Sequence, residues 1–238
     1  MAIDVGVVCV HGFTGSPADL DFLRARLGEA GFTATAPLLP GHGTTVEDLD
    51  RRRWSEWVDA VDAEVTTAGR NHARVAVVGQ SLGALLALHV TAHRREVACV
   101  ASLAAPLWLS GIAKLAATWS AKLGIRSLPK LGGADVSDPE VKRAAQGYNR
   151  IPVRALGQLV AFMRVVDDEL ATITQPVLVL HAANDHTAPV ACATRIAERT
   201  RARRLRILPR SYHLIASDVE RDIVADEVVS FIRREAGA

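Results

Sequence analysis

Apolar runs of strand length alternate with segments of helical period along most of the chain. Runs rich in valine and leucine with few polar residues are typical of strands that are buried on both faces of a sheet. Strands are predicted over residues 5–10, 33–36, 74–78, 97–103, 177–181 and 205–208. Helices are predicted over 17–30, 54–68, 82–92, 190–200 and 219–234. This alternation predicts an α/β fold with a mostly parallel sheet of about six or seven strands and helices on both faces.

The alternation stops between residues 106 and 175, where helical patterns and breakers occur without a convincing buried strand. Unstructured loops of this length are uncommon in compact domains, so the segment should have structure of its own. We interpret residues 1–105 and 176–238 as an α/β core and 106–175 as a small helical cap insertion. Trp108, Ile112, Leu115 and Trp119 form one apolar stripe at helical spacing. Two interpretations stay open: the stripe packs on the core, or it partly lines an apolar substrate channel.

Composition and charge narrow the class of protein. The chain has 238 residues, 49% of them hydrophobic, and a net charge of +2. This is enough apolar material for a large core in one domain. Arginines cluster at 51–53, 94–95 and 201–206. We interpret these clusters as solvated faces and expect no nucleic-acid partner, because no aromatic stacking residues or nucleic-acid module accompany them.

The cysteines and the N-terminal residues indicate the cellular compartment of the protein. Cys9, Cys99 and Cys192 occur singly, which is typical of small core residues in a reducing compartment. The opening MAIDVGVVCV contains an early Asp4 and an apolar run too short for a signal peptide. No stretch reaches the roughly 18 apolar residues of a membrane span. We therefore expect a cytoplasmic monomer or homodimer with no integral membrane span.

The segment VVGQSLGALLAL places Ser81 between a predicted strand and a predicted helix. In parallel α/β sheets, ligands bind at the carboxyl ends of the strands. A sharp strand-to-helix turn crowds the backbone, so it needs small residues two positions before and after the serine, here Gly79 and Gly83. Such a turn also exposes the hydroxyl at the positive end of a helix. The short motif alone could mark an ordinary turn, but its context favours a nucleophile elbow.

A serine hydroxyl becomes an effective nucleophile only when a base takes its proton. His213 follows the last predicted strand and precedes the last helix, at the carboxyl edge of the sheet. His89 and His93 extend from the helix after the serine and cannot reach back to its start. His72 precedes a strand at the opposite edge, and His181 lies inside or at the end of a strand. His213 is therefore the predicted base.

The imidazole needs an acceptor that fixes its tautomer. Asp185 stands in a short turn after the strand at 177–181, where it can meet a histidine from the next strand end. Asp167 and Asp168 precede that strand, and Asp218 is predicted to cap the last helix. The resulting chain order, serine then aspartate then histidine, is the order of α/β-hydrolases.

Acyl transfer also needs donors for the oxyanion of the tetrahedral intermediate. The elbow supplies the N–H of Leu82, and the loop after the first strand should supply the N–H of Phe13, whose ring could wall the acyl pocket. Gly12 allows this loop to come close to a ligand. His11 and His42 are interpreted as residues that fix the loop by hydrogen bonds and not as proton shuttles.

The segments HGFTGSP, LLPGHGTTVEDL, GQSLG, ANDHTAP and SYHLIASD closely resemble the α/β-hydrolase superfamily, in particular bacterial carboxylesterases and monoacylglycerol lipases. The resemblance implies nucleophile, acid and base at Ser81, Asp185 and His213, and oxyanion donors at Phe13 and Leu82. It implies hydrolysis of carboxylic esters with short or medium apolar acyl chains, monoacylglycerols being one candidate, without a metal or an organic cofactor. The likeness fades across 108–167, and the antiparallel strands that open larger family members are missing or reduced.

Two other functions fit the same residues. A thioesterase or acyltransferase would use the same triad on a different acceptor or leaving group. A ligand-binding protein on the hydrolase scaffold would bind its ligand without catalysing a reaction. This interpretation fits as well, because a fold does not by itself assign a function. The sequence has no Walker A pattern, dinucleotide fingerprint or spaced metal-ligand set, so we expect no cofactor and no metal.

Overall fold

The computed structural model describes residues 4–110 and 125–237. Its central sheet has six parallel strands in the order β2-β1-β3-β4-β7-β8. These strands are β1 Val5–Val10, β2 Thr33–Thr35, β3 Arg74–Gln80, β4 Val97–Leu103, β7 Val177–Ala182 and β8 Arg204–Leu208. A separate antiparallel pair joins β5 Ser127–Pro129 to β6 Arg150–Pro152. The predicted α/β fold with a mostly parallel sheet is confirmed.

Helices cover both faces of this sheet. They are α1 Asp21–Glu29, α2 Val46–Arg51, α3 Trp54–Asn71, α4 Leu82–His93, α5 Pro139–Ala144, α6 Val153–Glu169, α7 Ala191–Thr200 and α8 Arg221–Glu235. The helix predicted from residue 17 begins as a 3-10 turn, Pro17–Leu20, before α1. The sequence pattern does not predict α2, because its six residues are too few for a periodic signal. It is marked instead by Thr45, whose hydroxyl caps it by accepting from the Asp48 N–H at 3.1 Å.

Two apolar clusters fill the space between sheet and helices. One contains α3, α4, α6 and α7, and the other contains α1 and α8. Strands β1, β3, β4 and β7 are buried along almost their whole length, whereas β2 and β8 at the sheet edges keep exposed positions. Cys9, Cys99 and Cys192 are free thiols inside this core. Burial raises the pKa of Cys9 and of Cys99 to about 12, so these thiols stay protonated at neutral pH.

Some parts of the segment 106–175 belong to this core, and other parts lie at the surface. Helix α6 packs on α4, and its residues Phe162 and Met163 are buried in the cluster that contains α3 and α4. The short strands β5 and β6 are partly exposed, as the absence of a buried strand pattern indicated. Trp108 is 37% exposed, and the rest of its predicted stripe, Ile112, Leu115 and Trp119, lies outside the described residues. The division into core and cap stays a prediction.

Among the described residues, no helix has both the length and the apolar character needed to cross a bilayer. The expected cytoplasmic location and the expected monomer or homodimer stay predictions.

The turn between β3 and α4 depends on two very close backbone approaches. A Cβ on Gly79 would lie 2.0 Å from the carbonyl oxygen of Gly83. A Cβ on Gly83 would lie 2.0 Å from the carbonyl oxygen of Val10, at the end of β1. Only glycine fits at either position, and α4 can therefore start directly against the ends of β1 and β3.

We expect Gly83→Ala to lower the free energy of unfolding by about 3 kcal/mol, because the methyl group meets rigid backbone that must move. For a chain of this size the melting temperature should fall by roughly 6–12 °C. Thermal unfolding followed by circular dichroism measures this shift. The matched control is Gly157→Ala on α6, where the added methyl meets nothing within 4 Å. This control should raise stability by up to about 1 kcal/mol, and equal behaviour of the two variants would contradict the packing argument.

Candidate active site

Three polar side chains meet at the carboxyl edge of the sheet. Ser81 follows β3 directly, Asp185 lies in the turn after β7, and His213 lies in the loop between β8 and α8. Because the strands are parallel, all three chain segments leave the sheet at the same edge.

Hydrogen bonds connect these three residues in a chain. The distance from Ser81 Oγ to His213 Nε2 is 2.8 Å. His213 Nδ1 lies 2.7 Å from Asp185 Oδ2. The Asp185 carboxylate is fully buried, and Ser81 and His213 are 7% and 5% exposed. A hydroxyl, an imidazole and a carboxylate in this order can transfer a proton away from the hydroxyl.

The backbone holds Ser81 in a strained conformation. Its φ is 58° and its ψ is −118°, outside the regions that residues with a side chain favour. The Ser81 N–H donates to the Leu103 carbonyl at 2.9 Å, and the Ser81 carbonyl accepts from Ala84 and Leu85 as α4 begins. The hydroxyl therefore has a fixed position at the N-terminus of α4.

The Asp185 carboxylate is held by several donors. Its Oδ1 accepts from the N–H groups of Thr187 at 2.8 Å and Ala188 at 2.7 Å. Its Oδ2 lies 3.3 Å from His181 Nε2, which also lies 3.0 Å from the Ala188 carbonyl. His181 is buried in β7, as expected, but its contact with Asp185 was not predicted. No sequence pattern marks this contact, because it depends on the conformation of the turn that follows β7.

Electrostatics couples the histidine to the carboxylate. Burial alone would lower the pKa of His213, but the charge of Asp185 and its hydrogen bond outweigh burial and raise it. Burial would likewise raise the pKa of Asp185, but His213 and His181 hold it below its ordinary value. Asp185 is therefore ionised at neutral pH and stabilises the imidazolium form of His213.

Two backbone N–H groups lie beside the serine without an internal acceptor. Within the described residues, neither the N–H of Phe13 nor that of Leu82 donates to another group of the chain. Gly12 brings the first loop against Ser81: a Cβ on Gly12 would lie 3.2 Å from Ser81 Cβ. N–H groups next to a nucleophile can donate hydrogen bonds to an oxyanion and stabilise its charge.

Two buried histidines fix this loop. His11 Nε2 accepts from the Leu39 N–H at 3.1 Å, and His42 Nε2 accepts from the Thr14 N–H at 3.2 Å. Burial lowers the pKa of His11 to about 3 and that of His42 to about 4. Both rings are therefore neutral at physiological pH and can accept from backbone donors.

Three acceptors hold the loop that carries His213. Glu220 Oε2 accepts from the N–H groups of Arg210 and Ser211, and Gln80 Oε1 accepts from the Ala216 N–H. Asp218 accepts from the Tyr212 N–H at 2.7 Å.

The prediction that Asp218 caps the last helix is wrong, because the N-cap position of α8 belongs to Glu220. The Asp218 carboxylate instead accepts from the N–H groups of Ser137 and Asp138, which joins the histidine loop to the segment before α5. Sequence reasoning missed this contact because the partners are about 80 residues apart. His186 is exposed and donates to Asp135, on the rim of the site.

The comparisons with known proteins agree on the family of this chain. Residues 3–220 match the family described as serine aminopeptidase, S33. The thermostable monoacylglycerol lipase of a Bacillus species is 30% identical over 238 residues, covering 98% of this chain and 92% of the relative. The carboxylesterase of Bacillus subtilis is 25% identical over 241 residues, covering 97% and 93%.

A solved structure of a metagenome-derived lipolytic enzyme superposes with a TM-score of 0.90 at 25% identity, covering 98% of this chain and 95% of that chain. The resemblance to bacterial carboxylesterases and monoacylglycerol lipases that the motifs indicated is thus confirmed. With its parallel sheet, its elbow and a family match over most of its length, the chain belongs to the serine aminopeptidase S33 family and has the α/β-hydrolase fold.

Proposed function

We propose that this protein hydrolyses carboxylic esters through a serine acyl-enzyme, with Ser81 as nucleophile, His213 as base and Asp185 as its acidic partner. The observation that carries the proposal is the continuous hydrogen-bonded chain from Ser81 Oγ through His213 to Asp185. Beside it lie the N–H groups of Phe13 and Leu82, which have no acceptor among the residues that the structure describes. The names of the relatives, monoacylglycerol lipase and carboxylesterase, support an ester as the substrate.

Acylation begins when Ser81 Oγ attacks the ester carbonyl carbon while its proton passes to His213 Nε2. The carbonyl oxygen becomes an oxyanion that accepts from the N–H groups of Phe13 and Leu82. The tetrahedral intermediate collapses when the bond to the alcohol oxygen breaks and His213 gives its proton to that oxygen. Ser81 then carries the acyl group as an ester.

Deacylation uses the same groups in reverse order. Water attacks the acyl carbon, His213 takes the proton of the water, and the acid leaves as Ser81 Oγ is reprotonated. Asp185 keeps the Nδ1–H of His213 pointing at itself, so Nε2 faces Ser81 as an acceptor. No step needs a metal or an organic cofactor.

The acyl group is proposed to be apolar and of short or medium length, with monoacylglycerols as candidate natural substrates. The sequence resemblance and the lipase relative support this choice. The proposed acyl pocket includes the ring of Phe13, which lies 6.0 Å from the ring of Trp57, centroid to centroid.

We expect Ser81→Ala to lower the turnover of p-nitrophenyl esters by about 10⁴-fold or more, because the nucleophile is lost while the donors remain. Assays should run from acetyl to palmitoyl esters, with monoacylglycerol, acyl-CoA and an aminoacyl amide in parallel. The control Ser230→Ala, at an exposed position of α8, should keep full activity. Full activity of the Ser81 variant would exclude the mechanism, and faster turnover of acyl-CoA or amide than of any ester would change the substrate class.

The second prediction from this mechanism concerns pH. His213 must be neutral to accept the serine proton, and its pKa is raised above the ordinary 6.5. Consequently kcat/KM should fall as the pH drops through this raised value. Asp185→Asn removes the charge that raises it, so the fall should move to lower pH, and kcat should decrease by about 10⁴-fold.

The pH dependence of kcat/KM, measured for the wild type and the variant, checks this expectation. Asp167→Asn is the matched control, because Asp167 pairs with exposed Arg195 away from the triad. An unchanged acidic limb in the Asp185 variant would show that this carboxylate does not act on His213.

A further inference from the structure

A second group of polar side chains lies at the far end of α4. His89 and His93 are one helical turn apart and share a face of α4. Glu169, the last residue of α6, reaches both of them. His89 Nδ1 lies 2.7 Å from Glu169 Oε2, and His93 Nε2 lies 3.1 Å from Glu169 Oε1. Two imidazoles therefore converge on one carboxylate.

The spacing of these side chains suits a small cation. One ligand atom from each of the three residues lies within 4.8 Å of the others. Tetrahedral Zn²⁺ with bonds of about 2.0–2.1 Å needs ligand atoms about 3.3 Å apart. The two nitrogens now lie 2.7 and 3.1 Å from different oxygens of Glu169, so this carboxylate would have to turn until one oxygen has that distance from both. In the described part of the chain, no other group of three or more His, Cys, Asp or Glu residues has such spacing.

Packing holds His89 in place, whereas His93 is open to solvent. The side chain of His89 is only 12% exposed, and its ring packs edge-on against Trp54 and Phe162 at centroid distances of 6.2 and 5.4 Å. The side chain of His93 is 58% exposed. A cation can thus enter from solvent on the His93 side and bind a preoriented imidazole.

The local field also favours a cation. Helix α4 ends at His93 and α6 ends at Glu169, so the negative ends of two helix dipoles meet at this position. The carboxylate adds a full negative charge to the same place. A divalent ion bound by the two imidazoles would therefore lie in a region of negative potential.

We propose that His89, His93 and Glu169 form a binding site for a divalent first-row transition metal, with Zn²⁺ as the fitting ion. Imidazole ligands select such metals over Mg²⁺ and Ca²⁺, and two histidines with one glutamate form a known zinc ligand set with a fourth position for water. The site joins the end of α4 to the end of α6. His89 is eight residues beyond Ser81, about 12 Å along the helix, so the ion takes no part in ester chemistry.

This inference departs from the expectation of no metal, which the sequence alone supported. The pair with HxxxH spacing was visible in the sequence, but Glu169 is 76 residues from His93 along the chain. Only the packing of α6 on α4 brings the third ligand to the pair.

The test is zinc binding by the full chain without a histidine tag, after removal of metal with a chelator. Isothermal titration with ZnCl₂ should give one ion per chain for the wild type. His93→Ala should weaken binding by at least about tenfold. Glu169→Gln, which keeps the length and shape of the side chain but removes the charge, should weaken it similarly. The melting temperature should rise with zinc concentration in the wild type, and it should rise less in these two variants at the same zinc concentration.

The matched control is His72→Ala, because His72 also contacts a carboxylate, Asp4 Oδ1 at 3.2 Å, but belongs to no group of three ligands among the residues that the structure describes. This control should bind zinc as the wild type does. With Co²⁺, the wild type should show the visible absorption of a four-coordinate ion, and His93→Ala should not. Equal zinc affinity of the wild type and His93→Ala, loss of binding in His72→Ala, or a melting temperature that ignores zinc would each overturn the proposal.

Discussion

The absence of side chains at Gly79 and Gly83 lets three backbone segments meet, and the whole site depends on this close packing. A Cβ at either position would lie only 2.0 Å from a backbone carbonyl oxygen. Helix α4 consequently starts against the end of β1, and the loop that follows β1 arrives beside Ser81. One packing constraint thus sets the positions of the hydroxyl and of both N–H groups beside it. The strain at Ser81, of order 1–3 kcal/mol for such a conformation, is offset by its hydrogen bond to Leu103 and by the buried helix behind it.

The loop that carries His213 depends on a different kind of interaction. This loop has no regular structure. Its position is held by Glu220, Asp218 and Gln80, which accept hydrogen bonds from backbone N–H groups along it. The buried Asp185 carboxylate is stabilised in the same manner by two N–H groups. Rigid packing therefore positions the nucleophile, whereas hydrogen bonds to carboxylates and an amide position its base.

Local patterns predicted most of the fold, and they named three candidate site residues that the structure brings together. The strands were visible because buried parallel strands are continuous apolar runs, and Ser81, Asp185 and His213 followed from their places after strand ends. Contacts that depend on how loops and helices pack were not visible. Asp218 was assigned to the wrong partner, the contact of His181 with Asp185 was missed, and Glu169 could not be connected with His89 and His93. Each depends on how loops and α6 pack, which composition and periodicity do not encode.

We propose that Ser81 forms a covalent intermediate with His213 as its base. The most direct test is intact mass spectrometry after reaction with a fluorophosphonate, followed by peptide mapping. We expect one adduct per chain, located on Ser81, and strongly slowed labelling in His213→Ala although the serine is still present. A folded wild-type protein that stays unlabelled, or an adduct on another residue, would contradict it.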